Sequence, residues 1–307
     1  MSHAGGDYQA GPDGSPPARL APPESILVLA DGEKAEVRSS LDEITSWLSE
    51  RAEVLSVIDD VRAYGARPAS PDEPRPDLIV VLGGDGSVLA VAQRHAAEPV
   101  PVVGVNFGHV GFLAPVEAHR WREDLGEVLA GRAQVEPRMM LEAHVGRGGG
   151  SGAVAVALND VVLGRGASQS LVTLRLHVGG ELVGDYRADG VVLATPSGST
   201  AYSLAAGGPI LAPDMNGIVV TPIAAHALAN RPLVLSPDSR VEVTVLRAAG
   251  EATFAVDGRL AEPVHEGDVI TLQRHPKVYP LLAPSGMDPW RRLRERLGWR
   301  GTFLTEE

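Results

Sequence analysis

The chain contains no cysteine. That excludes disulfides, thiolate nucleophiles, Cys-liganded zinc and iron–sulfur clusters together. Lysine is almost as scarce: besides Lys34 and Lys277, every basic residue is arginine. A mechanism that needs a phosphate-binding lysine is therefore not expected. Aromatic residues make up 4% of the sequence, too few for a base-stacking surface along single-stranded nucleic acid. No apolar run approaches the ~18 residues of a membrane-spanning helix. The N-terminus lacks a basic stretch followed by an apolar core, so it does not read as a secretory signal. The expectation is a cytoplasmic protein, with neither a membrane nor a nucleic acid as partner.

What is present is enough for a sizeable core. A chain of 307 residues that is 44% apolar has the length of one large domain or two ordinary ones. Its 39 acidic residues outnumber 27 basic ones, and the net charge of −12 also argues against bulk attraction to polyanions. Residues 1–24 are rich in Gly, Pro, Ser and Ala and read as a disordered tail. Residues 25–134 alternate short apolar strands (25–30, 54–58, 78–82, 101–105) with helical patterns (40–52, from Ser87 onward, 117–131). Leu41, Ile44 and Leu48 show the helical spacing in the first of these. That alternation predicts an α/β domain, a parallel sheet with flanking helices. Residues 135–284 change texture to short β-rich segments, among them 153–163, 191–195 and 278–282, with turns such as Gly179-Gly180 and Asp257-Gly258. They predict a β-rich second domain, with a flexible hairpin tip at 146–152. Residues 285–307 read as a closing helix and tail.

Four motifs could carry chemistry. Gly83-Gly84-Asp85-Gly86-Ser87 follows a strand and precedes a helix. Ligands bind at the carboxyl ends of parallel strands, where glycines admit an anion to the backbone and the helix start offers free N–H groups. An acid there repels phosphate, so it makes sense as a proton acceptor or a holder of Mg²⁺. A tight Gly/Asp turn is the plain alternative. Gly104-Val105-Asn106-Phe107-Gly108-His109-Val110-Gly111-Phe112-Leu113 follows the next strand and should lie beside the first loop. Asn159-Asp160 interrupts an apolar segment; buried polar groups need partners, supplied by a ligand or by a turn. Last come Arg187-Ala188-Asp189-Gly190 and Thr195-Pro196-Ser197-Gly198-Ser199-Thr200-Ala201-Tyr202-Ser203, readable as a ligand-binding helix start or an ordinary Ser/Thr cap. A P-loop needs a lysine in a context that neither lysine has, and the first strand ends in Asp31-Gly32 without a dinucleotide fingerprint.

Jointly, in this order, these elements resemble the NAD kinase family, in its bacterial type. The resemblance spans about residues 25–300 and is most specific in the block 189–210, DGVVLATPSGSTAYSLAAGGPI; NRPLV at 230–234 and DGR at 257–259 fit it too. It implies an α/β domain followed by a β-rich domain. It also implies phosphorylation of the adenosine ribose 2′-hydroxyl of NAD, with ATP, another triphosphate or polyphosphate as donor and a divalent metal, Mg²⁺, as cofactor. By position, Asp85 would accept the hydroxyl proton. Gly83, Gly84, Gly86 and Phe107 would lie at the nucleotide or its phosphates. Asn159, Asp160, Arg187, Asp189 and the segment Thr200, Ala201, Tyr202, Ser203, Leu204 and Ala205 would bind NAD, with Tyr202 near a base. No protein metal ligand is assigned. A homodimer or homotetramer is implied, with Asp189 acting across the subunit interface. The sequence departs from the family at Asp160, where Glu is usual, at Ser87, where Thr is common, and at Ala90, where some bacterial members carry Arg. A lipid or sugar kinase sharing the GGDG loop would leave 189–210 unexplained. A non-catalytic dinucleotide sensor would not need Asp85. The expectation from sequence is that Asp85→Asn abolishes turnover with fold and NAD binding intact.

Overall fold

The computed structural model describes residues 20–299, apart from 68, 71, 109–110, 148–149, 168–169 and 227–230. Most of the expected tail, His109, Asn230 and part of the expected hairpin tip lie outside the described residues. The chain divides into two compact units, residues 1–137 with 279–307, and residues 138–278.

The first unit runs β1 (Ser25–Ala30), α1 (Ala35–Ser49), β2 (Glu53–Ile58), α2 (Val61–Ala66), β3 (Leu78–Gly83), α3 (Asp85–Arg94), β4 (Val102–Asn106), β5 (Val116–Glu117), α4 (Trp121–Leu129) and β6 (Gln134–Arg138). The second runs β7 (Leu141–Arg147), β8 (Gly150–Ala157), β9 (Asp160–Arg165), β10 (Val172–Val178), β11 (Glu181–Ala188) and β12 (Gly190–Ala194). It continues with α5 (Tyr202–Ala205), β13 (Ile218–Ile223), β14 (Leu233–Leu235), β15 (Val241–Arg247), β16 (Ala252–Val256), β17 (Arg259–Val264) and β18 (Val269–Arg274). β19 (Tyr279–Ala283) and α6 (Pro289–Leu297) belong to the first unit again.

The strands of the first unit lie in the order β2-β1-β3-β4-β19-β6, with β5 also on β4. β1, β2, β3, β4 and β19 are parallel to their neighbours in that row as far as β19. β3 and β4 are buried along their whole length, as strands covered by helices on both faces must be. Val37, Ile44 and Leu48 turn α1 onto the sheet, and Trp47 meets Trp121 of α4 edge to face at 5.3 Å. Gly104 lets the loop after β4 close down, since a Cβ there would stand 2.7 Å from Ala114 Cα. α3 begins at Asp85, two residues before the helical pattern was evident.

In the second unit two antiparallel sheets share one core. Their orders are β11-β10-β15-β18-β7-β8 and β14-β13-β12-β9-β16-β17. β10, β15 and β16 alternate buried and less buried residues, one face inward. β12 is buried on both sides. Val191 and Leu193 enter the common core, while Val192 and Ala194 join Leu211 and Val219 in a small second one. That second core seats the segment carrying α5 on the outer face of its sheet.

Two sequence expectations are corrected. The apolar run 153–163 is not one strand: β8 and β9 lie in different sheets, and Leu158-Asn159 is the crossover. The run 278–282, placed with the β-rich domain, is β19 of the first sheet, with Leu281 opposite Val102. The boundaries therefore fall at 137/138 and 278/279, not 134/135 and 284/285. A short, fully buried run has no period to tell which sheet will take it. Among the described residues no helix is long and apolar enough to cross a membrane.

Tyr279 brings its hydroxyl into the interior of this sheet with no hydrogen-bond partner among the described residues, and burial pushes its pKa up. Tyr279→Phe removes an unsatisfied polar atom at constant shape, so it should raise stability by about 1 kcal/mol, read as a higher denaturant midpoint at unchanged slope.

Candidate active site

The expected site residues fall into two groups, one on each unit. On the first unit β3 ends at Gly83, Gly84 caps α3, and Asp85 is the first helical residue. The helix start turns the Asp85 side chain back across the neighbouring loop, where it meets three successive peptide groups. The N–H of Phe112 donates to Oδ2 at 2.8 Å, and those of Leu113 and Ala114 donate to Oδ1 at 2.9 and 3.1 Å. Gly111 makes this approach feasible: a Cβ there would stand 2.1 Å from Oδ1. A carboxylate offers about four lone-pair positions. Three are taken, and the one left is on Oδ2.

Asp85 lines a cavity of about 330 Å³ together with Gly84, Gly86, Ser87, Asn106, Gly108 and Gly111. A Cβ on Gly86 would meet nothing within 4 Å, so the glycine keeps that space free. The first N–H groups of α3 lack intrahelical acceptors and carry the positive end of the helix dipole. The same cavity holds Lys34, Arg62 and Arg296. Lys34 Nζ would be 3.3 Å from a Cβ on Gly84. Lys34 and Arg62 stand 4.0 and 3.9 Å from buried Asp31, which holds both cations loosely in place. Lys34, one of the two lysines in the sequence, thus lies at the same cavity as Asp85, a placement that composition did not suggest. The signal available was Asp31-Gly32 closing the first strand, three residues before the lysine-led helix. Phe107 lies instead on an adjoining cavity, with Glu36, Glu117 and His119, although its N–H reaches the Gly83 carbonyl at 3.1 Å.

The second group is built on the β8–β9 crossover. Asp257, at a positive φ of 48°, accepts the N–H groups of Leu158 (2.9 Å), Asn159 (2.7 Å) and Asp160 (3.0 Å). Asp257 was marked in the sequence by the Asp-Gly turn and by the family element DGR at 257–259, neither of which gave it a role. Gly198 packs so closely under Asn159 that a Cβ would lie 2.0 Å from the Asn159 carbonyl. Thr195 ties the two loops by donating to the Leu158 carbonyl at 2.6 Å. Among the described residues Asn159 Oδ1 is buried without a hydrogen-bond partner. Asp160 is 4% exposed, and burial, together with the Asp257 charge, pushes its carboxyl up to about 7.

Of the segment Thr200–Ala205, Ser203 turns inward and its hydroxyl pairs with that of Thr221 at 2.8 Å. Thr200 donates to the Ser197 carbonyl. Tyr202 leaves 46% of its surface exposed, free to pack on a flat ligand. Ala201 and Leu204 are half-buried and Ala205 exposed. Arg187 is exposed at the end of β11, while Asp189 pairs with Arg165 at 2.8 Å.

Residues 70–133 match the family model described as ATP-NAD kinase N-terminal domain, and residues 158–283 match ATP-NAD kinase C-terminal domain. The NAD kinase of Desulforamulus reducens is 43% identical over 81% of this chain and 88% of its own length. This chain belongs to the NAD kinase family. The NAD kinase of Heliobacterium modesticaldum is 38% identical over 89% of this chain and 98% of its own length. Among solved structures, yeast NADH kinase complexed with NADH has a TM-score of 0.82 at 29% identity, covering 94% of this chain and 91% of that one. An NAD kinase from Archaeoglobus fulgidus in complex with ATP shares the fold, with a TM-score of 0.69 at 24% identity over 90% of this chain and 100% of that one.

Asp160 sets a pH dependence of stability in this NAD kinase family member. Its folded pKa of about 7 lies above the ordinary 3.8, so the folded state holds the proton more tightly. Its contribution is full below about pH 4 and is lost as the pH rises through about 7. Denaturation midpoints of the wild type should fall across that window, whereas Asp160→Asn should flatten the fall and be the more stable protein at pH 8.

Proposed function

We propose that the protein is an NAD kinase that transfers a phosphoryl group from ATP, or another phosphoryl donor, to the adenosine ribose 2′-hydroxyl of NAD, giving NADP. The observation that carries the reading is the Asp85 carboxylate, held by three peptide N–H groups with one acceptor position left, in a cavity that also holds Lys34 and Arg62. Phosphoryl transfer asks for positioning and charge neutralisation more than for covalent help. The 2′-oxygen attacks the phosphorus, the bond to the donor's bridging oxygen breaks, and the hydroxyl proton passes to Asp85 Oδ2. A ribose hydroxyl is far too weak an acid for a carboxylate to ionise beforehand, so the proton moves late, as the new bond forms. Lys34, Arg62 and the start of α3 hold the donor's phosphates. Asn159 and Asp160 bind NAD, as do Arg187, Asp189 and the Thr200–Ala205 segment, with Tyr202 against a base.

The carboxylates at the cavity are Asp31 and Asp85, and among the described residues no group of three His, Cys, Asp or Glu side chains is gathered for a metal. That donor set fits Mg²⁺ bound mainly through the donor's phosphates, with one carboxylate in support. Such an ion would neutralise the phosphate charge. The family resemblance supports a cytoplasmic homodimer or homotetramer.

The test is a coupled assay with NAD, ATP and Mg²⁺, read by an NADP-specific dehydrogenase. The wild type should form NADP, and Asp85→Asn should be slower by about 100-fold or more. Failure with ATP, other triphosphates and polyphosphate alike would sink the reading. The sequence expectation that Asp85→Asn leaves the fold intact is revised: an amide accepts only on its oxygen, so it cannot satisfy all three N–H groups, and the midpoint of unfolding should drop as well. Lys34→Ala should raise KM for the donor about tenfold while KM for NAD stays within about twofold, as loss of a ground-state phosphate contact does.

A further inference from the structure

We propose that Arg292, on the C-terminal helix α6, is a positioning residue for Asp85. Its neighbours Arg291 and Arg294 face outward and pair with Glu295 and Asp288. Arg292 turns inward and is only 6% exposed. Its guanidinium spans two targets. Nη2 donates to Glu136 of β6, at 2.8 Å to Oε1 and 3.2 Å to Oε2. Nη1 donates to the Phe112 carbonyl at 3.3 Å.

That carbonyl belongs to the same peptide unit as the Leu113 N–H, which donates to Asp85 Oδ1. A peptide is planar and trans, so its oxygen and its hydrogen point in opposite directions along one rigid plate. Arg292 grips one edge of the plate and Asp85 the other. The charge on the guanidinium also polarises the peptide and strengthens the hydrogen bond at its far end. The chain of contacts therefore runs from Glu136 through Arg292 and the Phe112–Leu113 peptide to Asp85. It fixes where Oδ1 sits and, through the shared carboxyl plane, where the remaining lone pair of Oδ2 points. A buried Arg–Glu pair by itself is weak evidence of anything beyond packing. What carries the inference is the second arm, spent on the middle one of the three peptides whose N–H groups hold the proposed proton acceptor.

The inference rests on the reading of Asp85 as proton acceptor. Its test uses the full-length protein and the same NADP assay on the wild type, Arg292→Met, Arg292→Lys, Arg291→Met, Asp85→Asn and the double variant Asp85→Asn/Arg292→Met. A misaimed reacting group should cost kcat about tenfold or more in Arg292→Met, with KM for NAD unchanged within about twofold. Arg292→Lys keeps the charge beside Glu136 but not the fork, so it should fold and still lose about threefold or more in kcat. Arg291→Met should match the wild type. In the Asp85→Asn background the Arg292→Met change should alter the residual rate by less than about twofold, because its route to the reaction is already cut. A kcat within about twofold of wild type in folded Arg292→Met, or losses that multiply in the double variant, would overturn the proposal. If Arg292→Met does not fold, Arg292→Lys decides: wild-type kcat there overturns it. A wild type that makes no NADP, or an active Asp85→Asn, instead defeats the underlying reading and the inference with it. Full activity in the wild type, none in Asp85→Asn and normal kcat in Arg292→Lys defeats the inference alone.

Discussion

A carboxylate held by three consecutive peptide N–H groups is the constraint around which the first unit is arranged. Asp85 cannot sit between two glycine-rich loops as a bare charge; the desolvation cost would be prohibitive without compensating donors. The donors come from Phe112, Leu113 and Ala114, and they converge only because the chain after β4 doubles back past Gly111. Gly104 and Ala114 are small for the same reason, since the returning loop packs on the strand it has just left. The glycines of the second motif thus serve the approach of one protein loop to another at least as much as the approach of a ligand.

Sheet order also explains how an acidic protein with two lysines places one of them at the cavity of Asp85. Lys34 and Arg62 reach the cavity from just beyond β1 and β2, the two strands that follow in turn on one side of β3, and Asp31 anchors both at about ion-pair distance. Ligands in parallel sheets collect at the carboxyl ends of strands. A residue just beyond β1 is therefore near the loop after β3 whatever its frequency in the sequence. Composition argued against lysine because it counts residues without placing them. Sheet order places them.

The legible parts of the molecule were those whose signal is local. β3 and β4 announce themselves as unbroken apolar runs, and the glycines and Asp85 mark the loop that follows. The illegible parts depend on partners far along the chain. Asn159-Asp160 looked like a blemish in one strand; it is a crossover held by Asp257, nearly a hundred residues later. β19 is a buried five-residue run that could serve any sheet, and only its place beside β4 decides. Arg292 lies in a segment legible only as a closing helix, and its contact with Phe112 spans 180 residues. Ser203 was legible as a member of the long family block but not in its function, because burial against Thr221 leaves no mark in the sequence.

Asp85 and Asp257 use the same device to opposite ends. Each accepts three backbone N–H groups from one loop, and each thereby fixes a turn whose geometry no local propensity would hold. The cavity beside Asp85 carries three cations, Lys34, Arg62 and Arg296, against one further acid, Asp31. Beside Asp257 the neighbour is Asp160, another acid, and two close carboxyls in a buried place do not both ionise readily. Burial, with the Asp257 charge adding to it, therefore raises the Asp160 carboxyl to about 7. Two aspartates tied into backbone N–H networks thus differ in what surrounds them: Asp160 is enclosed beside another carboxyl, whereas Asp85 opens onto a cavity in which cations outnumber acids.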